Sequence, residues 1–191
     1  MEVFNAIKTR RSINKVKQKK ISNSIINKIL ESGIWAPNHH LTQPWKFFVI
    51  SGEARNKLGE VMVKTLKDNL KEPINEVELK MKIEKEKNKP LRAPIIIIIT
   101  IIPTRNNKIK EVEEICSGAA AAQNMLLTAH CLGIGAILRT GISAYDKNIK
   151  KFLGIKYNDH IIGFIYLGYP NMKNPKGIRI DYNEKTEWRN K

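Results

Sequence analysis

The first residues that could do chemistry are Arg10, Arg11 and Ser12, which follow a short amphipathic segment. They supply guanidinium and hydroxyl donors, the groups that bind a phosphate well. The triplet also has an interpretation without a ligand, because basic side chains at the C-terminal end of a helix interact favourably with its dipole. Taken alone, the triplet favours this second interpretation.

A second candidate is the polar loop at residues 36–45, Ala-Pro-Asn-His-His-Leu-Thr-Gln-Pro-Trp. Loops carried on a rigid scaffold often hold binding residues, and this one could lie over a ring system. His39 and Gln43 are its candidate contacts, although a histidine in a polar loop is often merely solvated. Trp35, just before the loop, could stack on a ring or belong to the core.

Two later segments have the character of strands. They are Gly-Ala-Ile-Leu-Arg-Thr-Gly at residues 135–141 and Ile-Gly-Phe-Ile-Tyr-Leu-Gly at residues 162–168. Together with the arginine triplet and the polar loop, they resemble the nitroreductase family, and most closely its small single-domain branch. The resemblance extends over nearly the whole chain.

The resemblance implies a fold, a cofactor and an assembly. The fold is α+β, a three-layer α-β-α sandwich in which helices flank a mixed, mostly antiparallel central sheet. The cofactor is FMN, bound between the subunits of a homodimer that has a long helix at its interface and chain termini that wrap the partner. One domain over residues 1–191 fits both the resemblance and the length of the chain.

The resemblance also assigns roles to the first group of residues. Arg10 and Ser12 would contact the FMN phosphate, with Arg11 adjacent to them. His39 would touch the flavin from the opposite subunit, and Gln43 belongs to the same loop.

The later strand would reach the flavin through Leu138, Arg139 and Thr140. Arg139 would be a second guanidinium that binds phosphate or ribityl oxygens. Alternatively, it would form a salt bridge at the subunit interface. Trp35 stands where some relatives have an arginine that touches the cofactor, so its role stays open. Arg179 is a further candidate for the phosphate.

The implied activity is a ping-pong reaction in which NAD(P)H reduces FMN and a small electron acceptor, such as a nitroaromatic or a quinone, reoxidises it. The acceptor pocket would be lined by residues 66–92. No catalytic triad or metal-ligand cluster stands out in the sequence, as expected where the flavin carries the chemistry. A flavin-binding protein of the same fold with little turnover is the alternative.

The net charge of +16 could indicate a nucleic-acid-binding module. However, the chain has 26 Lys and only 8 Arg, beside 29 Ile and 18 Asn, as expected of an AT-rich genome. Arginine is preferred for bidentate contacts to phosphates and bases, so we expect no nucleic acid partner.

Periodicity predicts helices at residues 2–9, 22–34, 53–70, 74–88, 111–132 and 146–153, and strands at 45–51, 94–102, 135–140 and 160–167. The small residues at 117–122 would let another backbone approach the long helix. No apolar run is long enough to span a membrane, and the first residues do not have the pattern of a signal peptide. We therefore expect a cytoplasmic protein without a membrane partner.

Overall fold

The structure, a computed structural model, describes residues 1–106 and 108–190. The helices are α1 (Val3–Thr9), α2 (Asn23–Ile34), α3 (Ala54–Asp68), α4 (Glu76–Asn88), α5 (Glu111–Cys131) and α6 (Lys147–Leu153). The strands are β1 (Val16–Lys17), β2 (Trp45–Ser51), β3 (Ile95–Ile101), β4 (Gly135–Arg139) and β5 (His160–Pro170). All the predicted elements are present, with ends that differ by a few residues.

The isoleucine-rich strand β3 lies at the centre of the molecule, and all of its residues are buried. Ile95, Ile97 and Ile99 pack in one apolar cluster with residues of α2 and α5. Ile96 and Ile98 face the opposite side and pack with residues of α3 and α6. A strand that is covered on both faces requires such a continuous apolar run. The two clusters therefore make the three-layer α-β-α sandwich that the sequence predicts.

The sheet is antiparallel at every strand pair of the described residues, where the prediction was a mixed, mostly antiparallel sheet. β3 pairs with β2 on one side and with β5 on the other, and β5 also pairs with β4. β5 is longer than predicted because its end pairs with β1, with Lys17 opposite Tyr169. β1 has two residues, which is too short to give a periodic signal.

Helix α2 begins and packs largely as predicted. The Ser22 hydroxyl accepts a hydrogen bond from the Ile25 amide at 3.4 Å, and this satisfies one of the free amides at the helix start. Ile26 and Ile29 are buried, whereas Ile34 is exposed. The buried side of the helix therefore ends before Ile34, which belongs to the surface.

The small residues of α5 face two sides of the helix. A Cβ atom on Gly118 would lie 2.7 Å from Ile101 Cδ1 and 2.7 Å from Ile162 Cγ1, so Gly118 faces the sheet of its own chain. Ala121 is also buried, whereas Ala119 is exposed and Ala120 is half-buried on the outer side. Part of the stretch therefore packs within its own chain, and the approach of another backbone to the outer side stays a prediction.

No helix in the described part of the chain is long and apolar enough to cross a membrane.

Candidate functional site

The predicted phosphate residues lie between the end of α1 and the start of β4. The Arg10 amide donates to Ala6 O at 2.9 Å and ends the helix, and the Ile13 amide donates to Ala136 O at 3.0 Å. The short segment between them is thus fixed at both sides. Ser12 is exposed, and its hydroxyl has no hydrogen bond to any described residue.

Arg11 is held by backbone oxygens. Its Nη1 donates to Lys8 O at 2.8 Å and to Arg10 O at 2.7 Å. Its Nε is buried without a hydrogen-bond partner in the described residues. Since buried polar groups are nearly always hydrogen-bonded, this atom indicates a missing acceptor near Arg11.

Arg179 completes a cationic cluster around Arg10, and His130 lies beside it as a polar neighbour. Burial lowers the pKa of Arg10, and the nearby charges of Arg11 and Arg179 lower it further. Burial likewise lowers the pKa of His130, and Arg10 and Arg11 add to this effect. His130 Nε2 lies 2.9 Å from Thr9 Oγ1.

The cluster has no anionic partner of its own. None of Arg10, Arg11 and Arg179 forms an ion pair with a carboxylate in residues 1–106 and 108–190. Arg10, Arg11 and His130 line a cavity of about 170 Å³ that extends to the start of β4. Guanidiniums without a carboxylate partner can bind an external anion, and a phosphate matches their donors.

The polar loop after α2 has an unusual backbone. His40, Leu41 and Gln43 have φ values of 50°, 55° and 44°, in the left-handed region that residues other than glycine rarely adopt. The Asn38 side chain holds the loop by accepting from the Gln43 amide at 3.0 Å. Strain of this kind is concentrated at functional sites, and it leaves the Gln43 side chain exposed.

His39 lies far from Arg10 within one chain. His39 Nε2 is 3.3 Å from Glu113 Oε2 in the first turn of α5, whereas His130, beside Arg10, is in the last turn. At a rise of about 1.5 Å per residue, the seventeen positions between Glu113 and His130 span about 25 Å. His39 and the Arg10 cluster of the same chain therefore lie towards opposite ends of α5.

Trp35 is at the surface. It follows the last residue of α2, and 78% of it is exposed, so the alternative that it belongs to the core is wrong. Other large apolar side chains are exposed at both ends of the chain, including Phe4 and Ile7 in α1 and Ile178 and Trp188 in the C-terminal segment. Apolar surface on this scale is typical of an interaction surface.

Arg139 does not join the Arg10 cluster. Along β4, Ala136 packs in the apolar cluster with α2 and α5, while Ile137 packs against the cluster with α3 and α6. Arg139 shares the side of Ile137, and its Cζ lies 5.9 Å from the centre of the Tyr166 ring. The second arginine near Arg10 is therefore Arg179, from the C-terminal segment, and not the predicted Arg139. Leu138 and Thr140 flank Arg139 at the end of the strand.

Sequence reasoning did not identify His130 or Gly177 as parts of this site. A Cβ atom on Gly177 would lie 1.7 Å from Arg11 Nη2, so the C-terminal segment passes directly over that guanidinium. The only signal for His130 was its place in the last turn of α5. The described residues contain no group of three or more His, Cys, Asp or Glu side chains suited to a metal ion.

Comparison with known proteins assigns the fold and the family. A candidate NAD(P)H nitroreductase of Escherichia coli is 30% identical over 180 residues, which cover 94% of this chain and 94% of that protein. A nitroreductase-like protein of Bacillus cereus superposes with a TM-score of 0.85 at 24% identity and covers 100% of this chain and 97% of its own.

A candidate nitroreductase of Desulfovibrio desulfuricans, solved in complex with FMN, has a TM-score of 0.75 at 25% identity and covers 99% of this chain and 97% of its own. These likenesses confirm the predicted nitroreductase-like α+β fold. The model of the nitroreductase family matches residues 7–169, and the chain therefore belongs to the nitroreductase family.

Proposed function

We propose that this protein is an FMN-dependent NAD(P)H oxidoreductase that reduces nitroaromatic, quinone or related small acceptors. The observation that carries the proposal is the cluster of partly buried Arg10 and Arg11 with exposed Arg179, none of which has a carboxylate partner within the described residues. Membership of the nitroreductase family gives this anion site its most direct occupant, the phosphate of FMN.

In this proposal, Arg10 and Arg179 bind the FMN phosphate, with the Ser12 hydroxyl as a further donor. Two backbone oxygens already hold Nη1 of Arg11, so this residue would contribute through another nitrogen. Its Nε is buried without a hydrogen-bond partner in the described residues and would donate to the phosphate. Leu138, Arg139 and Thr140 bring the end of β4 towards the cofactor, in keeping with the resemblance.

The functional unit in the proposal is a homodimer. Within one chain, α5 separates His39 from the Arg10 cluster, so His39, Gln43 and Trp35 would contact the cofactor bound by the partner. A cavity of about 520 Å³ beside His39, with Val112 and Ala120 in its wall, is open to receive a second subunit. The exposed apolar residues of α1 and the C-terminal segment would be covered at the same time.

The chemistry requires little of the side chains. FMN, held by Arg10 and Arg179, would supply the hydride and electron chemistry that links NAD(P)H to the acceptor. The guanidiniums hold the cofactor in place through charge-assisted hydrogen bonds. The exposed indole of Trp35 offers a surface on which the nicotinamide or the acceptor can stack.

The test is the FMN affinity of the purified protein. We expect a yellow preparation with one non-covalent FMN per subunit. Arg10→Ala removes a charge-assisted hydrogen bond worth about 1.5–3 kcal/mol, so FMN affinity should fall roughly ten- to a hundredfold. Arg105→Ala, in an exposed loop, is the matched control and should bind like the parent. Unchanged affinity in Arg10→Ala would show that the phosphate lies elsewhere.

A further inference from the structure

A gap in the packing between α2 and β2 forms a further cavity, of about 590 Å³. Successive side chains of a strand point to opposite faces, so Phe47, Val49 and Ser51 share the face of β2 that α2 covers. Phe47 packs against the apolar cluster there, whereas Val49 is 40% exposed and Ser51 is exposed. The helix therefore leaves the end of the strand uncovered, and the cavity lies at this end.

The walls of the cavity are largely apolar. Ile21, Ile26 and Ile95 line it and are buried, and Leu30 and Pro94 beside them are half-buried. Sites for small molecules have volumes of about 300–1,000 Å³ and mainly apolar walls with a few polar groups. The cavity therefore has the size and the walls to receive the apolar body of a small organic ligand.

Arg55 supplies a fixed guanidinium at the edge of the cavity. Its Nη1 donates to Ala93 O at 2.8 Å and to Gln18 Oε1 at 3.2 Å, and the Gln18 side chain in turn donates to Leu91 O at 2.7 Å. The Arg55 side chain is half-buried, and its Nη2 has no hydrogen bond to any described residue. This nitrogen is therefore free to donate to a ligand.

The charges that line the cavity are all positive. Arg55 and Lys20 contribute to the lining, and none of the carboxylates that the structure describes does so. Neither cation forms an ion pair with a carboxylate in residues 1–106 and 108–190. Asn23 and Asn27, one turn apart on α2, add neutral donors. The lining therefore favours an anionic group on the ligand.

We propose that this cavity binds a small carboxylate with an apolar body. The carboxylate accepts a charge-assisted hydrogen bond from Nη2 of Arg55, and the apolar body covers Val49 and fills the space between α2 and β2. The cavity shares no lining residue with the cavities beside Arg10 and His39. The proposal therefore does not depend on FMN or on the oxidoreductase activity.

The first experiment separates the two parts of the ligand. Octanoate, octanamide and acetate are titrated calorimetrically into the protein in the presence of FMN, at constant ionic strength set with chloride. We expect saturable binding of one octanoate per subunit. Octanamide lacks the charge and should bind about tenfold or more weakly, and acetate lacks the chain and should show no saturable binding. Octanamide or acetate that binds as tightly as octanoate overturns the proposal, as does the absence of saturable octanoate binding at millimolar concentration.

The second experiment locates octanoate in the cavity. Arg55→Gln should weaken octanoate binding about tenfold or more, from the loss of a charge-assisted bond. Lys57→Gln is the matched control, because it removes one charge from an exposed position of α3 outside the cavity and should bind octanoate like the parent. Equal binding by these two variants overturns the proposal.

A third variant leaves Arg55 and its hydrogen bonds in place. Val49→Phe keeps a residue that favours strands and places a ring in the space between β2 and α2, so octanoate should no longer bind saturably. Octanoate binding that Val49→Phe does not weaken shows that the ligand lies elsewhere and overturns the proposal.

Discussion

Gly177 and Arg11 are in direct contact: a Cβ atom added to Gly177 would lie 1.7 Å from Nη2 of Arg11. This contact holds the C-terminal segment against the end of α1. Two residues further on, Arg179 is close enough to Arg10 for its charge to lower the pKa of Arg10. The first and last parts of the chain thus meet at one cluster of arginines, and a glycine permits that contact.

Substitution of Gly177 tests the contact. Gly177→Ala should displace the Arg11 guanidinium, because the added methyl group and Nη2 cannot occupy the same space. We expect FMN affinity to fall by up to about tenfold, which corresponds to about 1.4 kcal/mol. Lys176→Ala, one residue earlier and exposed, is the control and should bind FMN like the parent. If the two variants bind alike, Gly177 has no part in shaping the site.

A heterodimer tests whether each site is shared between subunits. One subunit carries Arg10→Ala and the other carries His39→Ala, with different tags for purification. If His39 serves the cofactor of the partner, one of the two sites combines both damaged residues and the other is intact. We expect the heterodimer to hold one FMN at parental affinity, while neither parent variant does so. Two equally weakened sites would show that Arg10 and His39 act in the same subunit's site.

Gly118 supplies a test of the packing between α5 and the sheet. Gly118→Ala places a methyl group 2.7 Å from Ile101 Cδ1 and Ile162 Cγ1. Overpacking costs about 1–3 kcal/mol, whereas alanine is favoured over glycine in a helix by about 1 kcal/mol. We expect a net loss of up to about 2 kcal/mol in the free energy of unfolding, measured by urea titration at fixed protein concentration.

The control for Gly118 is the exposed neighbour on the same helix. Ala119→Gly changes helix propensity alone and should lower the free energy of unfolding by about 1 kcal/mol. If Gly118→Ala instead raises the free energy of unfolding by a similar amount, the helix does not pack closely against the sheet at this position.

Asp146 gives a prediction for pH. Partial burial acts to raise its pKa, but hydrogen bonds from Thr65, Asn148 and Asn69 outweigh this and leave the pKa below the ordinary value. A lowered folded-state pKa contributes stability above the unfolded pKa of about 3.9, and this stability is lost as the pH falls through the folded value.

Asp146→Asn should therefore be less stable than the parent at pH 7, and the difference in urea midpoint should shrink as the pH falls below about 4. Asp181→Asn is the control, since Asp181 caps only an exposed turn. A difference between Asp146→Asn and the parent that is constant from pH 7 to pH 3 would contradict the assignment.

Periodicity predicted the helices and strands because these patterns arise from burial. Their arrangement in layers was implied by the resemblance to the nitroreductase family. β3 is covered on both faces, so all of its residues except Thr100 are isoleucine, and Ser22 is a local signal for the start of α2. The site was less predictable. Positions 118 and 177 are glycine because residues that are distant in sequence pack closely against them.

Which face of β4 carries Arg139 likewise depends on the register with β5, which places Arg139 opposite Phe164. The composition of the polar loop predicted the loop itself. It did not predict the left-handed conformation of His40, Leu41 and Gln43, because that conformation is expected mainly at glycine.

The most direct test of the proposed activity is reduction of the bound flavin under anaerobic conditions. NADH or NADPH should bleach the yellow absorbance band within seconds to minutes, and a nitroaromatic or a quinone should then restore it. Steady-state rates at several acceptor concentrations should give parallel double-reciprocal lines, as a ping-pong reaction requires. A bound flavin that neither nucleotide reduces would contradict the oxidoreductase proposal, and intersecting lines would contradict the ping-pong sequence.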